Sequence, residues 1–245
     1  MRARLETRLV AVTMILAAAH SLAAQSPPVS MPAGSHVYNV RGFYQGDEMD
    51  PWTSELFVGD TTFGNDRGVR TVYQSRESGG SYQYSSSASW SVLAPVLRAE
   101  WINGGQPSNS SCSLLLERGA LTGKLGDGSS VASARVAGAA VPDFAIGAFL
   151  ASRTLAAGDT IKLTMLRCHP ERGGSAVESQ QIVGVVKGGE EKRGFADHAE
   201  PVWIVEGDKN YSFVAVIAKS DHMLLRSVTP QGSVGYSVDS YVRTR

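Results

Sequence analysis

Few polar groups in this 245-residue chain stand close enough in sequence to act together. In Asp197-His198-Ala199-Glu200, a β conformation would turn His198 and Glu200 to one side, as a proton shuttle or half of a metal site requires. The segment 194–201 reads as a loop, however, and no second histidine stands at ligand spacing, so a solvated loop is the simpler account. Asp221-His222 falls between two apolar runs and reads as turn chemistry. Cys168 and His169 would face opposite sides of a strand, and Pro170 follows at once, which argues against a cysteine nucleophile. Serine is abundant, but Gly-x-Ser-x-Gly, Ser-x-x-Lys and His-Glu-x-x-His are all absent, as is a glycine-rich loop leading from strand to helix. The carboxylate pairs Glu48/Asp50 and Glu190/Glu191 are equally well explained as charged loop faces. No catalytic residue, metal ligand or cofactor is predicted.

The aromatic residues offer a binding reading instead. Side chains such as Trp and Tyr on one β face stack on sugars or line an apolar pocket. Trp90 and Trp101 fall within strand patterns and read as core, whereas Trp52 follows Pro51 in an expected loop. Trp52, Tyr82, Tyr84 and Trp90, with Phe144 and Phe149 from an apolar segment, are the candidate wall for a lipid or other apolar ligand.

Composition limits the partners further. Lys+Arg 23 equals Asp+Glu 23, so there is no basic stripe for nucleic acid and no polybasic segment for anionic lipid. Membrane contact is expected to be peripheral or absent. Residues 1–24 run from three arginines through the apolar stretch 9–19 to Ala23-Ala24, the order of a cleavable secretory signal. The apolar run is about half the ~20 residues a spanning helix needs. Without a cysteine near the cut, no lipidated terminus is predicted, and the product is expected in the periplasm or outside the cell. In that oxidising space the two cysteines, Cys112 and Cys168, most simply form one disulfide, two buried thiols being the alternative.

The elements that must position these groups are mostly strands. Residues 25–35, rich in proline and small residues, read as a disordered leader, and 36–242 as a single β-rich domain. The clearest strand is 81–92, where polar Ser81, Gln83, Ser85, Ser87, Ser89 and Ser91 alternate with Tyr82, Tyr84, Ser86, Ala88, Trp90 and Val92. A period of two puts one face in water and one in a core. Residues 211–218 are apolar on both faces and read as a central strand. Glycine steps at 79–80, 104–105, 126–128, 173–174, 188–189 and 207–208 read as hairpin turns, and short turns make an antiparallel meander. From Asp143, a suitable N-cap, to Leu155, the pattern reads as a short helix packed on or in the sheet, with a loop carrying two aromatic plugs as the alternative.

The order of the second half also carries a resemblance. The segment 143–155, then Gly158-Asp159-Thr160, strand 161–166, the turn Lys187-Gly188-Gly189-Glu190-Glu191, strand 202–206 and two last hairpin strands resemble exported bacterial β proteins catalogued as a domain of unknown function. Those are similar in shape to the half-barrel lipoprotein carriers of the periplasm. The resemblance spans about residues 140–241, carries over no functional residue and implies a curved sheet closed by a helix, not a two-sheet sandwich. The expected fold is therefore mainly β, one antiparallel meander forming a curved sheet or half-barrel. The first functional expectation is a non-enzymatic exported protein binding an apolar ligand or envelope partner. The alternatives are an envelope hydrolase using acidic residues or His198, and an outer-membrane β-barrel.

Overall fold

A computed structural model describes residues 31–44, 47–48, 52–63, 65–76, 83–91, 96–104, 111–131, 133–136, 138–169, 176–192, 198–209, 211–231 and 234–239. Residues 1–24, expected to be a signal peptide, lie outside the described residues, as do Tyr82 and the glycine steps at 79–80 and 173–174. Alternation sets the strands. In β5 (Gln83–Ser91), Ser86, Ala88 and Trp90 are buried while Ser85, Ser87 and Ser89 are half-exposed. In β7 (Ser111–Glu117), Cys112, Leu114 and Leu116 are buried against exposed Ser113 and Glu117. Each strand thus turns one side into a shared core and the other into water.

The first arm of the sheet comprises β1 (Gly34–Tyr44), β3 (Trp52–Phe63), β4 (Asp66–Arg76), β5, β6 (Leu97–Gly104), β7, β8 (Ala120–Leu125) and β9 (Ala134–Arg135), each bonded to the next, with β2 (Asp47–Glu48) beside β1. The second arm comprises β10 (Ala140–Pro142), β11 (Thr160–Cys168), β12 (Val177–Lys192), β13 (Ala199–Gly207), β14 (Val214–Ala218), β15 (Leu224–Gln231) and β16 (Val234–Asp239). Antiparallel pairing of β1 with β16 joins the arms, with Asn39 opposite Asp239. The expected meander holds within each arm. One parallel pair, β10 with β11, departs from the antiparallel rule at the sheet's end.

Topology forces this sheet to curl. Its two end strands, β9 and β10, are joined by residues 136–139 alone, which reach at most about 18 Å. Laid flat at about 4.8 Å per strand, the same ends would lie about 65 Å apart. The result is a curled half-barrel. A disulfide between Cys112 on β7 and Cys168 on β11, strands near opposite ends of the order, holds the curl with a Cα–Cα distance of 6.4 Å. No described helix is long and apolar enough to cross a membrane.

The concavity is filled by a helix. A 3₁₀ turn at Asp143–Ala145 leads into α1 (Ile146–Ala151), whose six residues are all buried. Phe149 of α1 meets Trp90 of β5 edge-on at 5.6 Å, while a side chain on Gly147 would strike Leu224 of β15 at 2.7 Å. A helix touching both β5 and β15 lies between the arms, inside the curl. It is shorter than the reading to Leu155, and Asp143 does not cap it; its carboxyl accepts from the Phe144 backbone N–H at 2.9 Å and faces Arg167.

Three local readings are corrected. The leader ends early: β1 starts at Gly34, and Met31 is buried in the core at 2 % exposure. Trp52 is not in a loop but opens β3, paired with Val40. Gly188-Gly189 is not a turn but the middle of β12, opposite Trp203 and Val202. A Cβ on Gly189 would come within 2.6 Å of Ile204, so glycine serves close approach there, not chain reversal. The reversal between β7 and β8 falls instead at Arg118-Gly119, both with positive φ (52° and 78°), as the two central residues of a type I′ hairpin require.

Candidate functional site

Of the six aromatic candidates, Trp90 and Phe149 are buried in the core and Phe144 packs against it. Besides the Trp90–Phe149 pair, Phe144 meets Trp101 of β6 edge-on at 5.4 Å. Trp90 Nε1 donates to Ser152 Oγ at 3.2 Å, and that hydroxyl donates to the Phe149 carbonyl at 2.7 Å. A buried indole N–H is thus satisfied, and the α1 terminus is tied to β5. Tyr84 lies on β5 two residues from Ser86, opposite Ser75 and Asn103. Trp52 lies on β3 next to the β1–β16 seam, apart in sheet order from Trp90.

Sequence reading missed a polar knot beside this layer. The Asp143 carboxyl is almost fully enclosed and accepts hydrogen bonds from the Phe144 N–H and the Trp101 side chain, with Arg167 Nε 3.5 Å away. Burial pushes its pKa above the ordinary carboxylate range, against the opposing pull of the Arg167 charge and the two donors. Arg167 also donates to the Tyr211 hydroxyl at 3.1 Å, and burial pushes that phenol up to about 12. A depression of about 430 Å³ lined by Met165, Arg167, Glu178, Ser179 and Gln180 opens beside the knot. With its carboxylate held by donors, the knot ties the 3₁₀ turn to β6 and β11. No single stretch of sequence announces it, because its members come from three elements and the β13–β14 connection.

The larger open feature lies on the opposite, solvent face of β4–β8. It is a groove of about 940 Å³, rimmed at one side by Ser130, Val131 and Ser133 beyond β8. Its floor follows from register. One row runs Arg70–Ser89–Arg98–Leu115–Thr122 across five strands, and the next runs Ser87–Glu100–Ser113–Lys124. These are the outward positions of strands whose inward positions are Trp90, Ala99, Leu114 and Leu116. The serine alternation in 81–92 marked this face as wet but did not mark it as concave. Arg98 lies over the Phe63 ring at 5.4 Å, which steadies its guanidinium above the groove floor.

The other polar candidates stay apart. His198 is exposed immediately before β13, and Glu200 accepts from Ser220 Oγ at 3.0 Å; Asp197 lies outside the described residues. Asp221-His222 does form the turn between β14 and β15, with His222 at φ 58° and Asp221 Oδ1 accepting from the Met223 N–H at 3.1 Å. His169 Nε2 lies 3.5 Å from Glu178 at the disulfide end of β11. Glu190 and Glu191 both sit on β12, where Glu191 accepts from Arg226 at 3.2 Å. Glu48 lies on β2; Asp50 is outside the described residues.

Comparison with known proteins yields no matching family model and no matching curated protein. Among solved structures, the chain is similar to a β-barrel-like protein of the domain of unknown function DUF1849 from Brucella abortus, at 9 % sequence identity and a TM-score of 0.47, over 89 % of this chain and 100 % of that one.

Proposed function

We propose that this chain is an exported, non-enzymatic β protein of the cell envelope that binds a ligand on the outer face of β4–β8. The observation that carries this reading is the 940 Å³ groove, whose polar floor is built by strand register on a rigid, disulfide-clasped sheet. A sheet face bonded to β3 on one side and β9 on the other positions side chains without loop motion, which suits binding. The disulfide fits export to an oxidising compartment. Replacing Ser113, exposed on the groove floor, by Trp tests the site, since it obstructs the groove without touching the core. Hydrogen exchange in the presence of envelope extract should protect β4–β8 in the wild type and not in Ser113→Trp. Equal protection in both would overturn the reading.

A second reading, an apolar ligand inside the curl, is favoured by one observation. The 3₁₀ turn and α1 have no side-chain cap at their N-termini, and α1 is only six residues long, so apolar packing chiefly holds it. Release of α1 would open the wall of Trp90, Phe144 and Phe149 to a lipid. Lipid co-purifying in native mass spectrometry, with faster exchange in α1, would favour this reading over the groove.

A further inference from the structure

We infer that the row Arg70–Ser89–Arg98 is a subsite for an oxyanion carried on a polyhydroxylated chain, that is, for an acidic carbohydrate; this rests on the groove being the binding site. In the sheet register, Ser89 lies directly opposite Arg70 on one side and Arg98 on the other. With neighbouring strands about 4.8 Å apart, the two arginine stems rise about 10 Å from each other on one face, with a hydroxyl between them. Each guanidinium presents a fork of donors that fits a carboxylate, sulfate or phosphate oxygen pair. Neither arginine has a carboxylate within 4 Å among the described residues, and Arg98 is steadied by Phe63 without giving up its fork.

The lining as a whole has the same chemistry. Among the described lining residues, Arg70, Arg98 and Lys124 against Glu100 leave two net positive charges, in a chain whose Lys+Arg and Asp+Glu are both 23. The positive charge is therefore local. Around it stand the hydroxyls of Ser87, Ser113, Thr122, Ser130 and Ser133, groups that exchange hydrogen bonds with sugar hydroxyls. The described lining holds only scattered large apolar side chains, Leu114, Leu115 and Val131, and no aromatic residue, so neither a lipid tail nor a stacked base finds a continuous platform among the described residues. A nucleic acid also calls for more cationic contacts than three.

The test uses the full mature chain and three probes of equal length: oligogalacturonate, its methyl ester, and a phosphorylated mannan oligomer, each titrated calorimetrically at two salt concentrations. Binding to the uronate is expected, weakened at higher salt and lost at least tenfold on methyl esterification. Binding of the phosphorylated chain as well would identify the shared oxyanion as the feature recognised. The double variant Arg70→Gln/Arg98→Gln should lose about tenfold per arginine, whereas Lys162→Gln, exposed on β11 and not among the groove-lining residues, should bind like wild type. Equal affinity for acid and ester, or unchanged binding by the double variant, would overturn the inference while leaving the groove as a site for another ligand. Groove protection by protein or DNA, but by none of the sugars, would overturn it in the same way. If Ser113→Trp blocks nothing and no probe binds, both the inference and the groove reading fall.

Discussion

Removing the clasp between β7 and β11 is the sharpest perturbation of this fold. Cys112 and Cys168 are separated by 56 residues, and a cross-link over a loop of that size stabilises by about 4 kcal/mol on the chain-entropy model. For a domain of about 200 residues, a urea slope of about 2–3 kcal/mol/M turns that loss into a midpoint shift of about 1.5–2 M. The structure adds a spatial expectation to this size. In a flat sheet these two strands would stand about 50 Å apart, so the bond acts on the closure of the curl and not on neighbouring pairs. In Cys112→Ala/Cys168→Ala, native-state hydrogen exchange should accelerate in β7–β9 and β10–β12, while β1, β3 and β16 at the centre of the order change least. Urea unfolding followed by tryptophan fluorescence reads the first quantity, with Trp90 and Trp101 both buried beside the concavity. A midpoint shift below about 0.3 M, or acceleration spread evenly over the sheet, would refute the view of the disulfide as the clasp of the half-barrel.

Other perturbations test the interior. Phe149→Ala should cost about 3–5 kcal/mol, because it removes a fully enclosed ring packed on Trp90 and under Arg153; thermal unfolding measures it. Gly207→Ala should destabilise by about 1–3 kcal/mol or more, since its Cβ would lie 2.1 Å from the Tyr211 carbonyl oxygen, a backbone atom that cannot swing aside. Because burial raises the Asp143 pKa in the folded state, its contribution is fully present below the unfolded pKa and is lost as pH rises through the raised value. Urea midpoints taken across the mildly acidic range should therefore fall less with rising pH in Asp143→Asn than in the wild type. Tyr211, pushed up to about 12, stays neutral in the fold while the unfolded phenol ionises near 10, so stability falls between those values; Tyr211→Phe should flatten that alkaline decline, at a cost of about 1 kcal/mol at neutral pH for the lost Arg167 bond.

Period-two alternation was legible in β5, where one face of the strand is wet, because burial acts on single side chains and leaves its mark residue by residue. The apolar run in 211–218 likewise marked β14, which lies between β13 and β15. Glycines were less legible. Gly189 and Gly207 look like turn residues locally but are required by neighbours from other strands, Ile204 and the Tyr211 carbonyl. The knot of Asp143, Arg167, Tyr211 and Trp101 was invisible for the same reason, since its partners lie up to 110 positions apart by their own numbering.

By itself, the sequence determined the β class, the meander within each arm, a single pair of cysteines available for a bond, and the wet serine face of β5. These follow from local periodicity and composition. Only the tertiary structure decided that the first and last described strands meet at the β1–β16 seam, that α1 enters the concavity, and that the serine face becomes the floor of a groove between Arg70 and Arg98. Those outcomes depend on register and curvature, which arise from contacts between strands remote in the chain and leave no trace in any one of them.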